Sequence, residues 1–124
     1  MTTAVLDGRE LAVAVAHMPS ERSIGLMFVD GLGSLDGLVF AYDEPVQGRF
    51  HMRNVRFPLD IAFIDEAGAV LAVVAMPLCD ADPCPAYGSP APVAWALETP
   101  AGALRDVQAG DRFELRTYGQ GPPG

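Results

Sequence analysis

The chain has 124 residues, the length of one domain, and half of them are hydrophobic while 19% are charged. This composition is typical of a folded globular protein and excludes a disordered one. Sixteen acids against eight bases give a formal charge of −8, which repels phosphate backbones and makes nucleic acid an unexpected partner. Every base is arginine, which excludes a Schiff-base lysine and a P-loop lysine.

The first third of the chain predicts a hairpin, a short helix and a loop. Residues 11–16 alternate large and small apolar side chains, as in a strand. Asp7-Gly8 before them is a hairpin signal, so we expect residues 4–6 to pair with this strand. Proline suits the first turn of a helix, which indicates a short helix over 19–25. Residues 29–37 carry three glycines and predict a loop.

Short apolar runs separated by proline and glycine continue to the end of the chain. They predict strands over 38–42, 46–52, 59–64, 69–76, 93–97 and 112–118, and one helical turn over 101–105. Residues 69–76 are almost all apolar, which indicates a strand buried on both faces. Without an internal repeat, we expect one β-rich domain over 1–118 and a flexible C-terminal tail over 119–124.

Seven short segments form a linked pattern that extends from about residue 10 to about residue 115. They are Glu21 to Met27, Asp36 to Phe40, Met52-Arg53-Asn54, Pro58 to Asp65, Cys79 to Pro85, Leu97-Glu98 and Gly110-Asp111. In this order they resemble a widespread prokaryotic family, domain of unknown function 192 (DUF192). The resemblance implies a mainly β fold, a single compact sandwich or barrel-like domain of jelly-roll type with one short helix. It implies no established activity.

Two positions depart from the pattern of the family. Its members usually have Trp before the Met-Lys/Arg-Asn segment and Thr after it, where this chain has His51 and Val55. Many members are exported and carry a signal or lipoprotein segment. The first residues here lack a basic stretch followed by an apolar one, and no apolar run is long enough to span a membrane. We therefore expect the protein in the cytoplasm. We also expect it to be a monomer.

The two cysteines lie in a proline-rich segment, residues 77–92, which we predict to be a long ordered loop. The spacing of Cys79 and Cys84 is neither a Cys-x-x-Cys redox motif nor half of a clear zinc site. Only His17 and His51 could complete a set of four zinc ligands, and they are not spaced as a pair, so we expect no metal and no cofactor. A disulfide and free thiols both remain open, and either way the two Cα atoms should lie within about 7 Å.

Two acids fall on predicted apolar strand faces. Asp60 shares its face with Ala62, and Glu98 shares its face with Ala96. A shielded carboxylate needs a partner. The pair could serve as acid and base of a hydrolase, their environments separating the two pKa values. Alternatively, each could cap a turn or pair with an arginine such as Arg22 or Arg53.

Three arginines make the segment before Pro58 locally positive in an acidic chain. They are Arg49, Arg53 and Arg56, and no acid lies between Glu44 and Asp60. Arginine suits bidentate recognition of a carboxylate or phosphate. The alternative is a solvated strand edge whose charges are balanced by acids on neighbouring strands.

We interpret the chain as a non-enzymatic binding module for a small polar or anionic ligand, with saccharide-like compounds included, or for a partner segment. The candidate ligand-binding residues are Arg53, Asn54, Asp60 and Glu98, near the bend at Pro58. A hydrolase using Asp60 and Glu98 is one alternative, although no Gly-x-Ser-x-Gly motif is present. A structural docking domain is the other.

The charge gives a first testable prediction. A chain of net charge −8 should retain neither DNA nor RNA at about 150 mM salt, because it releases few counterions from a phosphate backbone. A gel-shift titration of the purified protein against duplex DNA and single-stranded RNA checks this. Retention at sub-micromolar protein concentration would contradict it.

Overall fold

The computed structural model describes residues 2–117 and shows a mainly β protein with one six-residue helix. The elements are β1 (Thr2–Leu6), β2 (Arg9–Ala16), α1 (Pro19–Ile24), β3 (Gly37–Val46), β4 (Arg49–His51), β5 (Leu59–Ile64), β6 (Val70–Met76), β7 (Ala86–Gly88), β8 (Val93–Pro100) and β9 (Phe113–Thr117). The mainly β fold with one short helix predicted from the sequence is confirmed. The predicted tail, 119–124, lies outside the described residues.

Seven strands form one sheet in the order β6-β5-β8-β3-β2-β1-β9, and β4 pairs with β7 in a separate two-stranded ribbon. All neighbours in the large sheet are antiparallel except β2 and β3. A parallel pair needs a long crossover, which α1 and residues 25–36 supply. A jelly roll consists of two packed sheets with eight strands between them, and this strand order describes a different arrangement.

The large sheet curls into a half-barrel, so that its two edges meet at one end. Ala69, before β6, bridges Arg112, before β9. The Phe113 amide donates to the Gly68 carbonyl over 2.8 Å. Gly68 has φ of 84°, and a Cβ there would lie 2.7 Å from the Phe113 carbonyl oxygen. Glycine at this turn therefore permits the close approach of the two edges.

The sheet buries apolar side chains on both faces. The helix-side core, which α1 and the β4–β7 ribbon cover, includes Phe40, Phe50, Met52, Leu59, Ile61, Phe63, Met76 and Ala96. The turn-side core, inside the curl, includes Ala4, Leu6, Leu11, Val13, Val39, Ala62, Ile64, Leu97, Leu104 and Phe113. Strand β5 is buried at every position, because it contributes alternate side chains to both cores.

Local signals in the sequence were more accurate than the predicted strand lengths. The hairpin is confirmed, with positive φ at both Asp7 and Gly8. The predicted strand 46–52 is present but shorter, as β4 over Arg49–His51, because β3 continues to Val46 across an irregular register. Strand β6 lies at an edge and is mostly half-buried, so burial on both faces is wrong there.

Two other segments differ from expectation. The proline-rich loop, 77–92, contains the short strand β7, which pairs with β4. The expected helical turn over 101–105 is a series of tight turns, in which the amides of Ala103 and Arg105 donate to the carbonyls three residues earlier. Proline at the end of β8 and Gly102, with φ of 89°, favour turns there over a continuous helix.

Asp60 secures this turn against the sheet. Its side chain is 7% exposed, and its Oδ2 accepts hydrogen bonds from the Gly102 amide over 2.9 Å and the Leu104 amide over 3.3 Å. Leu104 is fully buried in the turn-side core. Asp60 thus caps the turn that closes one end of this core, as the sequence allowed for a shielded carboxylate.

Replacing Asp60 with alanine should destabilise the fold. The change removes two hydrogen bonds to a carboxylate and leaves the buried Leu104 amide unpartnered, which costs about 2–4 kcal/mol. The melting temperature should fall by roughly 10 °C in a domain of this size. Asp65→Ala is the matched control, because Asp65 also accepts two backbone amides, but in a more exposed turn. Equal losses for the two variants, measured by thermal unfolding, would contradict the assignment.

Candidate functional site

A cavity of about 350 Å³ opens on the helix-side face of the sheet. Its walls come from α1 and residues 25–27, from Phe40 and Tyr42 on β3, from all of β4, and from Val55. Glu98 of β8 completes the lining. A volume of this size lies at the lower end of the range for sites that bind small molecules.

The position of Glu98 follows from the pairing of β8 with both of its neighbours. It stands opposite Leu38 on β3 and opposite Ile61 on β5, so its side chain shares the helix-side face with them. The residue is 4% exposed. Its carboxyl group has no hydrogen bond or ion pair with any other residue between 2 and 117. No fully buried side-chain oxygen in this range lacks a partner, so the carboxyl oxygens retain slight access to the cavity.

Burial dominates the electrostatics of this carboxyl group. Desolvation raises the pKa of Glu98 from its ordinary value of 4.5 to about 8. Burial also raises the pKa of the Tyr42 hydroxyl; the Arg22 charge lowers it, and the Glu98 charge raises it further. At neutral pH the cavity therefore holds a mostly protonated carboxylic acid close to a phenol.

Arg22 anchors α1 beside the cavity. Its guanidinium lies 4.8 Å from the centre of the Tyr42 ring and donates to the carbonyls of Ala41 and His17. At the start of the helix, Glu21 Oε1 accepts the Met18 and His17 amides over 3.0 and 3.1 Å. Both hydrogen bonds lower the pKa of Glu21, and the bond from the Met18 amide has the larger effect. The short helix is thus fixed by polar contacts, since none of its side chains is buried.

The three arginines that made the sequence locally positive are not equivalent. Arg53 pairs with Asp82 over 3.4 Å, and Arg56 pairs with Asp30 over 2.8 Å. Arg49 lines the cavity, and its guanidinium has no hydrogen bond or ion pair to the rest of the described chain. Arg53 and Arg56 are therefore solvated arginines whose charges are balanced by acids from other segments, which was the alternative that the sequence left open. Arg49 remains available to bind a ligand.

Of the four candidate ligand-binding residues, the structure places only Glu98 in the cavity wall. Arg53 and Asn54 lie between two lining residues, His51 and Val55, without lining the cavity themselves. Asn54 has φ of 61°, and its carbonyl accepts the Phe28 amide over 2.8 Å. It therefore shapes the loop at the rim of the cavity.

Asp60 lies on the other side of the sheet. It pairs with Thr99, the neighbour of Glu98 in β8, and successive side chains of a strand point to opposite faces. The two acids that the sequence offered as a hydrolase pair therefore do not converge on one cleft.

Sequence reasoning missed the contributions of Arg22 and Tyr42. Tyr42 follows Phe40 with the period of two that predicted the strand, so the same alternation could have placed it on the cavity face. Arg22 gave no comparable signal, because its contacts depend on how α1 folds over β3. His51 and Val55, the two departures from the family pattern, both line the cavity.

The segment before β7 is closed into a small ring. Cys79 and Cys84 form a disulfide with their Cα atoms 5.8 Å apart, within the predicted 7 Å. The ring lies close before β7, whose partner β4 forms one wall of the cavity. Between residues 2 and 117, no group of three or more acidic, histidine or cysteine side chains is arranged to hold a metal ion.

Within the described range, no helix is long and apolar enough to cross a membrane.

Fold and cavity together define a small β half-barrel with a ligand-sized pocket on its helix-side face. The sequence profile of DUF192, a family described as "Uncharacterized ACR", matches residues 2–115. The chain belongs to this family, as its motifs indicated.

Two solved structures share the fold. A protein from Sinorhizobium meliloti 1021, described as a "putative transcription regulator", is 31% identical, with a TM-score of 0.79 over 93% of this chain and 94% of its own. A protein of unknown function from Novosphingobium aromaticivorans DSM 12444 is 27% identical, with a TM-score of 0.79 over 91% of this chain and 82% of its own. No curated protein matches the chain.

The raised pKa of Glu98 predicts that the fold loses stability as pH rises. Between pH 4.5 and about pH 8 the folded chain retains a proton that the unfolded chain releases, so the free energy of unfolding falls across this window. The difference between a pKa of 4.5 and one of about 8 corresponds to about 5 kcal/mol. Urea unfolding of wild type and Glu98→Gln at pH 5 and pH 8.5 checks this. The wild type should lose more stability than the variant; equal losses would contradict the prediction.

Proposed function

We propose that this protein is a non-enzymatic binding module that holds one small polar or anionic ligand in the Glu98 cavity. The observation that carries the proposal is the carboxyl group of Glu98, which is 4% exposed, has no partner in residues 2–117 and reaches the cavity. Burying such a group without a hydrogen bond destabilises a fold by several kcal/mol. A ligand that supplies the missing partner would recover this free energy on binding.

The lining of the cavity supports binding of a small molecule. Leu26, Phe40 and Phe50 are buried apolar residues in its wall, and Arg49 adds an unpaired guanidinium. Small-molecule sites combine apolar walls with a few convergent polar groups, and this cavity contains both kinds of residue. Arg49 favours ligands that carry negative charge or hydrogen-bond acceptors.

The arrangement of the acids supports binding over hydrolysis. Two-carboxylate hydrolysis requires both groups to flank one bond, about 5–10 Å apart. Asp60 and Glu98 lie on opposite faces of the sheet, and Asp60 Oδ2 is engaged with the 101–106 turn. We therefore propose that Asp60 contributes to stability and that Glu98 contributes to recognition.

The description of the Sinorhizobium meliloti relative as a regulator raises the question of DNA contact. For this chain, the charge of −8 and the pairing of Arg53 and Arg56 with acids argue against a phosphate-binding face. We propose that the function of this chain lies in the cavity, with the docking of a partner protein as the remaining alternative. Exposed Ile24 and Phe28, beside the cavity, favour that alternative.

A thermal-shift screen tests the binding function. Wild type is heated with amino acids, organic acids, sugars and sugar phosphates, each at about 10 mM. At least one compound should raise the melting temperature by several degrees, because a ligand specific to the folded state stabilises it. The same compound should shift Glu98→Gln and Arg49→Gln less. Arg105→Gln is the matched control, since the Arg105 side chain is also unpaired within residues 2–117 but lies in the turn over the other face.

Two outcomes would count against the proposal. One is the absence of any shift across the whole panel. The other is a shift that is equal in the wild type and the two cavity variants, because such a ligand would bind elsewhere.

A further inference from the structure

We propose that the ligand is a small zwitterion with an apolar body, bound with its amino group on Glu98 and its carboxylate on Arg49. This inference rests on the binding function proposed above and names the class of ligand. It follows from three observations on the cavity, which concern its floor, its free cation and its apolar walls.

The floor of the cavity can pair with a cation. Glu98 is the one acid in the lining, its carboxyl group has no hydrogen bond within residues 2–117, and once ionised it only accepts hydrogen bonds. An ammonium group offers three donors and a compensating charge. Because the pKa of Glu98 lies only about one unit above neutral, a nearby ammonium is sufficient to ionise it. The ion pair would then form where solvent is largely excluded.

The free cation of the lining is exposed and can bind an anion. Among the lining residues, the Arg22 guanidinium already donates to two carbonyls and lies over Tyr42. Arg49 has no such engagement within the described chain. A guanidinium binds a carboxylate through two parallel hydrogen bonds, so a carboxylate is the smallest anion that satisfies Arg49 with a defined orientation.

Part of the cavity wall is apolar. Phe40, Phe50 and Leu26 are each no more than 8% exposed and line the cavity. They would contact the body of the ligand and favour an aliphatic or aromatic side chain. A volume of about 350 Å³ holds a molecule of amino-acid size.

A ligand with a single charge satisfies only part of this arrangement. A simple amine would approach Arg22 and Arg49 with unfavourable charge and leave Arg49 unpaired. A simple organic acid would pair with Arg49 and leave Glu98 without a donor. Only a ligand with both an amino group and a carboxylate pairs with both Glu98 and Arg49. The cavity therefore favours a zwitterion over a simple amine or a simple organic acid.

Three matched compounds separate these cases. Phenylalanine carries both groups, 3-phenylpropionate lacks the amino group, and phenethylamine lacks the carboxylate. Calorimetric titration at pH 7 should give phenylalanine an affinity at least about tenfold above either analogue, as expected for one additional charge-assisted contact.

The variants assign each group to its residue. Glu98→Gln should lower the affinity for phenylalanine about tenfold and leave that for 3-phenylpropionate unchanged. Arg49→Gln should lower the affinity for phenylalanine and leave that for phenethylamine unchanged. Arg105→Gln should change neither. Thermal unfolding of each variant without ligand establishes that it is folded.

Several results would overturn the inference. If either analogue binds as tightly as phenylalanine, the zwitterion is wrong while the binding function stands. The same holds if all three compounds fail and the panel compound that binds lacks either the amino group or the carboxylate. If no compound in the panel binds, the proposed function fails and the inference fails with it.

Discussion

Strand β8 forms hydrogen bonds with β3 on one side and with β5 on the other, and most of the molecule depends on this double pairing. It fixes the face on which each β8 side chain lies, so Leu97 and Thr99 point into the curl and Glu98 points out of it. Gly37 permits the pairing, because a Cβ at this position would lie 2.7 Å from the Glu98 carbonyl oxygen. The cavity floor is therefore part of the most constrained region of the sheet.

The cavity exists because the two faces of the sheet are covered differently. The turn-side face is enclosed by the curl of the sheet itself and by the 101–106 turn. The helix-side face depends on a six-residue helix, a two-stranded ribbon and the loops between them. Those short elements cover the apolar residues and leave a gap above Glu98. The fold thus separates a face devoted to stability, capped by Asp60, from a face that is open to a ligand.

Sequence signals that depend on neighbouring residues predicted the structure well. The Asp7-Gly8 turn and the helix that begins at Pro19 are set by local backbone preferences. The burial of Asp60 and Glu98 followed from strand alternation. That alternation does not give the side of the sheet on which each acid lies, because this depends on which strands pair. The sequence therefore predicted that Asp60 and Glu98 could share one site, whereas the register of β5 against β8 places them on opposite faces of the sheet.

The remaining errors have the same origin. Arg53 and Asn54 were candidate ligand-binding residues because they follow a positive segment and precede a proline. An arginine is free to bind a ligand only when no acid from another part of the chain pairs with it. Asp82, on a distant loop, pairs with Arg53, and the residues near Arg53 in the sequence do not predict that contact. Arg49 stayed unpaired for an equally non-local reason.

The cavity has two walls that differ in stability, an outer wall on the β4–β7 ribbon and an inner wall on the large sheet. The strands of the ribbon are paired at only three positions, and two-stranded ribbons are marginally stable by themselves. The inner wall, on β3 and β8, belongs to a seven-stranded sheet. Local opening of the outer wall therefore requires less free energy than opening of the sheet. We expect a molecule to exchange at the cavity past β4 while Glu98, on the seven-stranded sheet, stays in place.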